Sequence, residues 1–322
     1  MKQRTFEKCH QSQWEELERW LDNLDKRKSI KGQDIVQFPQ LYRQICQHLA
    51  LARERRYTPH LIERLNRLAL RGHQHLYRTP SRLFEHFINF IGRDFPQRVR
   101  QESRLVGLSA LLFFGSLLIM FASVQMNPDL IYSMMDVEQV LELEKMYDPT
   151  VERWGHNREA ESDFLMFGFY IKNNIGIGFQ TFASGIFWGL GTVFFLVFNG
   201  LFIGCVASHL THIGYIVPFY SFVVGHSSFE LIAIVLAGAA GLKLGLALIA
   251  PGRLRRLPAL RHAAAQSIYI VYGVIGMLLL AAFMEAFWSS NAAIDPNIKY
   301  LVGGLLWLGV ISYFMLVGRY RR

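Results

Sequence analysis

The stretch SSFELIAIVLAGAAGLKLGLALIA, Ser227–Ala250, contains only two charged side chains, Glu230 and Lys243. An α-helix rises ~1.5 Å per residue, so this stretch is long enough to cross the ~30 Å hydrocarbon layer of a membrane. Apolar runs of similar length recur from Leu105 towards the end of the chain. We therefore predict an all-α fold, a multipass transmembrane helical bundle of about six spans.

For two of these stretches, the length allows more than one arrangement in the membrane. The run from Phe164 to Leu210 is too long for one crossing and suits two crossings with a turn near Ser184–Gly191, or one crossing with a re-entrant loop. The segment Ile213–Val224 is short and contains Pro218, which favours an interfacial or re-entrant segment. The predicted spans are Leu105–Val124, two within Phe164–Leu210, Ser227–Ala250, Gln266–Phe287 and Tyr300–Val317.

The charges of the loops predict the orientation in the membrane. The loop Pro251–Ala264 has four arginines and no acid, and the chain ends in Arg319-Tyr320-Arg321-Arg322. The loop at 125–163 has ten acidic residues against three basic ones, and its middle, Met135–Met146, has the pattern of an amphipathic helix. Because Lys and Arg favour the cytoplasmic side, both termini are predicted to be cytoplasmic and the acidic loop external.

A basic helical domain is predicted to precede the first span. The residues before Leu105 contain 21 Lys and Arg against 12 Asp and Glu, which accounts for the whole net charge of +9. Amphipathic stripes predict a cytoplasmic helical domain at 1–102, followed by a transmembrane domain at 103–318. The stripe Ser81–Phe95, which Pro96 is expected to end, either lies in the membrane interface or packs on the bundle. We expect the basic side to meet anionic lipid or to serve solubility, and not to bind nucleic acid.

Polar side chains within the predicted spans are candidates for a binding or structural cluster. A charged group at the centre of a membrane helix costs ~2.5–3.5 kcal/mol on insertion scales, so each one needs a reason to be there. His226 and Glu230 are four residues apart, share a helix face and could bind a cation or relay a proton. Lys172 either pairs with Glu230 or Glu285 or snorkels to the interface, and snorkelling is expected of Lys243. The candidate cluster is Lys172, Asn173, Asn174, Asn199, His226 and Glu230.

Metal binding and catalysis have weaker support in the sequence. Cys205, His209 and His212 share a helix face and have ligand types that suit zinc or copper, but such residues at helix ends usually serve packing. No phosphate-binding loop, nucleophile elbow or zinc-protease motif occurs. We therefore predict no enzyme activity, no catalytic residue, no cofactor and no metal.

Glycines at four-residue spacing mark helix faces that can approach another helix closely. In lipid, small residues at a helix contact replace the hydrophobic driving force. These faces either assemble the bundle or join two copies into a homodimer, and a homo-oligomer is expected. The pairs are Gly185 and Gly189, Gly200 and Gly204, and Gly241 and Gly245.

Three motifs resemble the stage II sporulation protein M family of bacterial and archaeal integral membrane proteins. They are Lys172-Asn173-Asn174-Ile175, Asn199-Gly200-x-x-x-Gly204, and Gly225-His226-x-x-x-Glu230-Leu231-x-Ala233-Ile234 continuing into a glycine-rich stretch. The resemblance implies a helical protein of the bacterial cytoplasmic membrane, with Asn173, Asn174, Asn199, His226 and Glu230 at motif positions. It also implies that such a protein acts with envelope or peptidoglycan-processing proteins as an anchor or scaffold.

Three functions are therefore open. The first is a non-enzymatic membrane scaffold or partner in envelope processes, which the resemblance and the charged surfaces favour. The second is a transporter or channel for an ion or small solute, which the polar intramembrane residues favour. The third is an intramembrane metal-dependent hydrolase, which needs His209, His212, His226 and Glu230 in one coordination sphere.

Overall fold

The computed structural model describes residues 2–25, 32–76, 83–150 and 160–319. This part of the chain consists of helices and their connections, without strands, which confirms the predicted fold class. The helices are α1 (Gln3–Asp25), α2 (Gly32–Glu54), α3 (Pro59–Leu76), α4 (Leu83–Asn89), α5 (Phe95–Gln101), α6 (Ser103–Met126), α7 (Val137–Tyr147), α8 (Ala160–Ala183), α9 (Leu190–His212), α10 (Ile216–Ile249), α11 (Arg256–Phe283) and α12 (Pro296–Leu316).

The chain divides into two compact units, Met1–Phe84 and Glu85–Arg322. The expected boundary, after residue 102, differs from this division because α5 packs on α11 and α12 of the second unit. Phe95 is buried there, and a Cβ on Gly273 of α11 would lie 2.0 Å from its ring. The residues between 85 and 102 therefore fold with the transmembrane helices.

The first unit is a bundle of α1, α2 and α3 around one apolar core. Buried apolar side chains recur at helical spacing along these helices, and Pro59 begins α3 directly after Thr58. Gln3 bonds to Thr58 through both its amide nitrogen and its amide oxygen, which joins the start of α1 to the start of α3. The largest fully buried apolar side chains of this core are Phe6, Trp14, Leu17, Leu21, Ile45, Leu65 and Leu68.

One buried polar pair makes the stability of this unit depend on pH. The Trp14 indole N–H donates to His48 Nδ1 across 3.2 Å, so His48 must be neutral at that nitrogen. Burial, and secondarily the charge of His10, lower the pKa of His48 to about 4. Because the ordinary value is 6.5, the stabilisation is complete above about pH 6.5 and is lost as the pH falls towards 4.

We expect the first unit of the full-length protein to open more readily at pH 5 than at pH 7.5, and His48→Gln to reduce this difference. Glutamine cannot become charged and its oxygen can still accept from Trp14. Hydrogen exchange of peptides from α1 and α2, compared between the two proteins at each pH, measures this. The protection of the variant divided by that of the wild type should be at least about 10-fold higher at pH 5 than at pH 7.5. Equal pH dependence in both proteins would contradict the role of His48.

The segment before the first span does not stop at Pro96. A π-helical turn, Phe90–Asp94, joins α4 to α5, and the Phe95 N–H bonds back to the Phe90 carbonyl. Proline lacks the N–H that an α-helix needs, and the wider turn before it accommodates this loss. Four apolar side chains of the predicted stripe, Phe84, Phe87, Ile88 and Ile91, are exposed, so placement in the membrane interface stays a prediction for them.

In the second unit, α10 is the central helix and contacts α6, α8, α9, α11 and α12. Within the described residues, five helices are long and apolar enough to cross a membrane: α6, α9, α10, α11 with the turn after it, and α12. The predicted turn between two helices in Phe164–Leu210 is confirmed, because α8 and α9 are separate helices joined near Ser184–Ile186. α8 is 24 residues long but is not among the five.

The re-entrant alternative for Ile213–Val224 is wrong, because residues from Ile216 onward begin α10, which runs unbroken for 34 residues to Ile249. Placement of these residues in the membrane interface stays a prediction. Pro218 lies in the first turn, where a missing N–H breaks no helical hydrogen bond. At ~1.5 Å per residue, α10 is longer than the ~30 Å thickness of a hydrocarbon layer.

The paired glycines make close contacts within this chain, although Gly185 and Gly189 lie in the connection between α8 and α9 and not on a helix face. A Cβ on Gly185 would lie 2.1 Å from the Gly241 backbone oxygen, and one on Gly245 would lie 2.3 Å from the Gly189 nitrogen. A Cβ on Gly204 would lie 2.3 Å from a backbone oxygen of α6. These contacts assemble the bundle, and the expected homo-oligomer stays a prediction that needs another surface.

A buried histidine and carboxylate cluster

Two elements of the second unit bring three ionisable side chains together. α10 contributes His226 and Glu230, which are one helical turn apart on one face. The π-helical turn Met284–Ser289, directly after α11, contributes Glu285. One ligand atom from each of the three side chains lies within 4.8 Å of the other two, and this is the one such group of three among the described residues.

Polar neighbours orient two of the three side chains, His226 and Glu285. His226 is 4% exposed, and its Nδ1 lies 3.0 Å from the Ser289 hydroxyl. His226 Nε2 faces Glu230 Oε2 at 3.9 Å, which is too far for a hydrogen bond. On the other side, Asn174 of α8 donates through Nδ2 to Glu285 Oε2 at 3.4 Å. Asn173 Nδ2 in turn donates to Asn174 Oδ1 at 3.1 Å.

The π-helical turn places Glu285 and Ser289 on one side. A π-helix needs more residues per turn than an α-helix, so residues four apart nearly align, and such turns are frequent at functional sites. Lys299 of α12 donates to the Ser289 carbonyl at 2.8 Å. This contact occupies a carbonyl at the end of the turn, where regular helical hydrogen bonding stops.

α7 covers one end of this region. Tyr147, its last residue, packs edge-on against Phe219 and Phe222 of α10, and Phe222 packs edge-on against His226. Burial, and then the negative charge of Glu285, raise the pKa of the Tyr147 hydroxyl well above its ordinary value. Phe222 therefore links Tyr147 to His226 of the cluster.

Two further contacts fix α7. His209 Nε2 of α9 lies 2.8 Å from Glu144 Oε1, which joins α7 to a transmembrane helix. At its start, the Asp136 side chain accepts from the Gln139 N–H, and the Gln139 side chain accepts from the Asp136 N–H. This capping box supports the helix that the amphipathic pattern predicted.

The structure brings together four of the six candidate residues. Asn173, Asn174, His226 and Glu230 belong to the connected group described above. Lys172 is exposed, and its side chain makes no ion pair with Glu230 or Glu285 among the described contacts. Asn199 Nδ2 bonds to the Phe195 carbonyl of its own helix at 2.7 Å and takes no part in the group.

The three residues considered for zinc or copper do not converge. Cys205 is buried in an apolar cluster with Val124 and Val140, His209 pairs with Glu144, and His212 is exposed. Nor do His209 and His212 join His226 and Glu230 within one coordination sphere in the described part of the chain. The constellation that the hydrolase hypothesis requires is therefore not assembled there.

Three residues in or beside the cluster are not among the candidates from the sequence: Glu285 and Ser289, which belong to it, and Tyr147, which packs next to it through Phe222. Glu285 carried a signal, because it is an acid at the end of an apolar stretch. Ser289 follows it by four residues, the same spacing that links His226 to Glu230. Tyr147 carried no signal, because its approach depends on how α7 folds back over the bundle.

Two parts of the chain match known protein-family models. Residues 109–290 match the family model described as Stage II sporulation protein M. The matched residues run from within α6 to the end of the turn after α11, and they include the cluster. Residues 4–78 match a domain of unknown function, DUF8413, which coincides with the three-helix unit. No curated protein and no solved structure matches the chain.

Proposed function

The chain belongs to the stage II sporulation protein M family, and we propose that it is a non-enzymatic membrane transporter or channel for a cation. The observation that carries this proposal is the group of His226, Glu230 and Glu285, whose ligand atoms lie within 4.8 Å of one another between apolar helices. Ionisable groups are costly in such surroundings, and their usual reason for being there is an ion pathway or binding site.

The chemistry of the group favours a cation over an anion or an apolar solute. Two carboxylates and an imidazole nitrogen offer electron pairs to a positive ion. Carboxylates this close repel each other, and a cation between them would remove the repulsion. The neighbouring amide of Asn174 donates to Glu285 and so holds a carboxylate oxygen in place.

The test is cation flux into liposomes that contain the purified full-length protein. Separate assays would follow Na⁺, K⁺, Mn²⁺ and Zn²⁺ with ion-sensitive dyes inside the vesicles. We expect at least one ion to enter faster than into empty liposomes, and Glu230→Gln and Glu285→Gln to reduce that flux at least about 10-fold. The control is Asn199→Ala, which changes an intramembrane polar residue outside the group and should keep the flux. Wild-type flux no higher than that of empty liposomes for every ion would refute the transport proposal.

A second candidate is the scaffold role in envelope processes, and α7 is the feature that favours it. This helix exposes Val137, Leu141 and Met146 beside Glu138 and Glu142, although Val140 packs inward. Exposed apolar side chains rimmed by charges are typical of protein-binding surfaces. Purification in mild detergent should recover an envelope protein with the wild type and not with Leu141→Asp. Recovery that is independent of residue 141 would exclude this surface as the binding site.

We also propose that the protein lies in the bacterial cytoplasmic membrane with both termini inside. The arginines between α10 and α11 support this orientation, because Lys and Arg favour the cytoplasmic side. A cysteine introduced at Glu138 should then react with an impermeant thiol reagent in spheroplasts, and Cys9 should not.

A further inference from the structure

We infer that His226, Glu230 and Glu285 form a binding site for one divalent transition-metal ion of the zinc and manganese class. This inference rests on the proposal that the group binds a cation, and it adds which class of cation that is. The site differs from the residues that spacing suggested for metal binding, Cys205, His209 and His212, and it departs from the expectation that no metal binds.

The ligand types select this class of ion. Na⁺, Ca²⁺ and Mg²⁺ prefer sites made entirely of oxygen atoms, whereas zinc, iron and manganese combine imidazole nitrogen with carboxylate oxygen. Here one of three ligands is an imidazole, and the other two are carboxylates. Two carboxylates also balance the charge of a divalent ion, which matters where little water surrounds it.

The distances suit a metal that draws the side chains inward. Ligands bound at ~2.0–2.1 Å in a tetrahedron lie ~3.4 Å apart. His226 Nε2 and Glu230 Oε2 are 3.9 Å apart, and no two ligand atoms of the group are more than 4.8 Å apart. Closing these gaps needs movements of about 1 Å or less, which side-chain torsions supply without a change of backbone.

The surrounding hydrogen bonds are those of an outer ligand shell. When His226 Nδ1–H donates to Ser289 Oγ, the Nε2 lone pair points towards Glu230 and is available to a metal. Asn174 donates to Glu285 on the side of α8, and Asn173 donates to Asn174. Metal-binding histidines and carboxylates are commonly oriented by such second partners.

Co²⁺ is the probe for this site, because its visible absorption reports the number and type of ligands. The full-length protein in detergent, stripped with a chelator, should bind one Co²⁺ per chain, and Zn²⁺ should displace it. We expect Glu230→Gln and Glu285→Gln each to weaken binding at least about 100-fold, and Ser289→Ala to weaken it about 10-fold to 100-fold. The matched control is Glu138→Gln, on the exposed face of α7, which should bind like the wild type.

X-ray absorption of the wild-type protein loaded with Zn²⁺ tests the site without any substitution. One nitrogen and two carboxylates, with water or another oxygen, are expected around the metal. The absence of Co²⁺ binding by the wild type, an all-oxygen shell, or unchanged affinity in both glutamate variants would each overturn the inference. Because these measurements need no gradient, metal binding without flux would refute transport alone. Flux of Na⁺ or K⁺ without metal binding would refute the metal site alone.

Discussion

Gly241→Ala is expected to lower the melting temperature of the protein in detergent by about 5–10 °C. A Cβ at this position would lie 2.3 Å from Thr192 Oγ1 and 2.8 Å from the Thr181 carbonyl oxygen. These two groups are hydrogen-bonded to each other at 2.7 Å, so a methyl group would separate α8 from α9 as well as push both away from α10. Overpacking costs ~1–3 kcal/mol and the lost buried hydrogen bond about 1 kcal/mol more.

The matched control is Gly276→Ala in α11. Nothing lies within 4 Å of the Cβ that this change would add, and alanine is the better helix former. Its melting temperature should therefore equal or slightly exceed that of the wild type. Thermal unfolding followed by tryptophan fluorescence, with size-exclusion chromatography to confirm the folded state, measures both variants. Equal losses in the two would show that Gly241 is not a close-contact position.

The close contacts of the bundle could be predicted because spacing alone reports them. Small residues four apart lie on one helix face, and in lipid such faces are where helices meet. What spacing does not report is the partner of each face. The contact between Gly185 and Gly241 joins residues far apart in the chain, and only the folded bundle shows that they meet within one molecule.

Only the part of the candidate site that depends on local spacing could be predicted from the sequence. His226 and Glu230 follow from helical periodicity, which the sequence displays directly. Glu285 and Ser289 depend on a π-helical turn, in which the periodicity changes locally without a sequence signal that marks it. Asn174 reaches Glu285 only through the packing of α8 on that turn, a long-range contact that no local pattern encodes.

The same limit applies to Lys243, for which snorkelling was expected. Its ammonium group instead donates to the carboxylate of Glu102, the residue immediately before α6. The two side chains are 16% and 23% exposed, so the pair is largely removed from solvent. Because 141 residues separate them along the chain, the sequence offered no means of pairing them.

Lys243→Met and Glu102→Gln are each expected to destabilise the protein by about 2–3 kcal/mol. That is somewhat below the ~3–5 kcal/mol of a fully buried pair, because both side chains keep some exposure. Each single change leaves the other charge without its partner in a poorly solvated place. The double variant K243M/E102Q removes both charges and should recover most of the lost stability.

A double-mutant cycle of melting temperatures in detergent measures this coupling. A coupling energy above about 1 kcal/mol would show that the two charges act as a pair. If Lys243 only snorkelled, Lys243→Met would be nearly neutral, and the effects of the two changes would add. The recovery in the double variant also distinguishes the role of this ion pair from the role of the group of His226, Glu230 and Glu285. A pair that serves the fold can be replaced by neutral side chains, whereas a cation site loses its ligand whenever a carboxylate is removed.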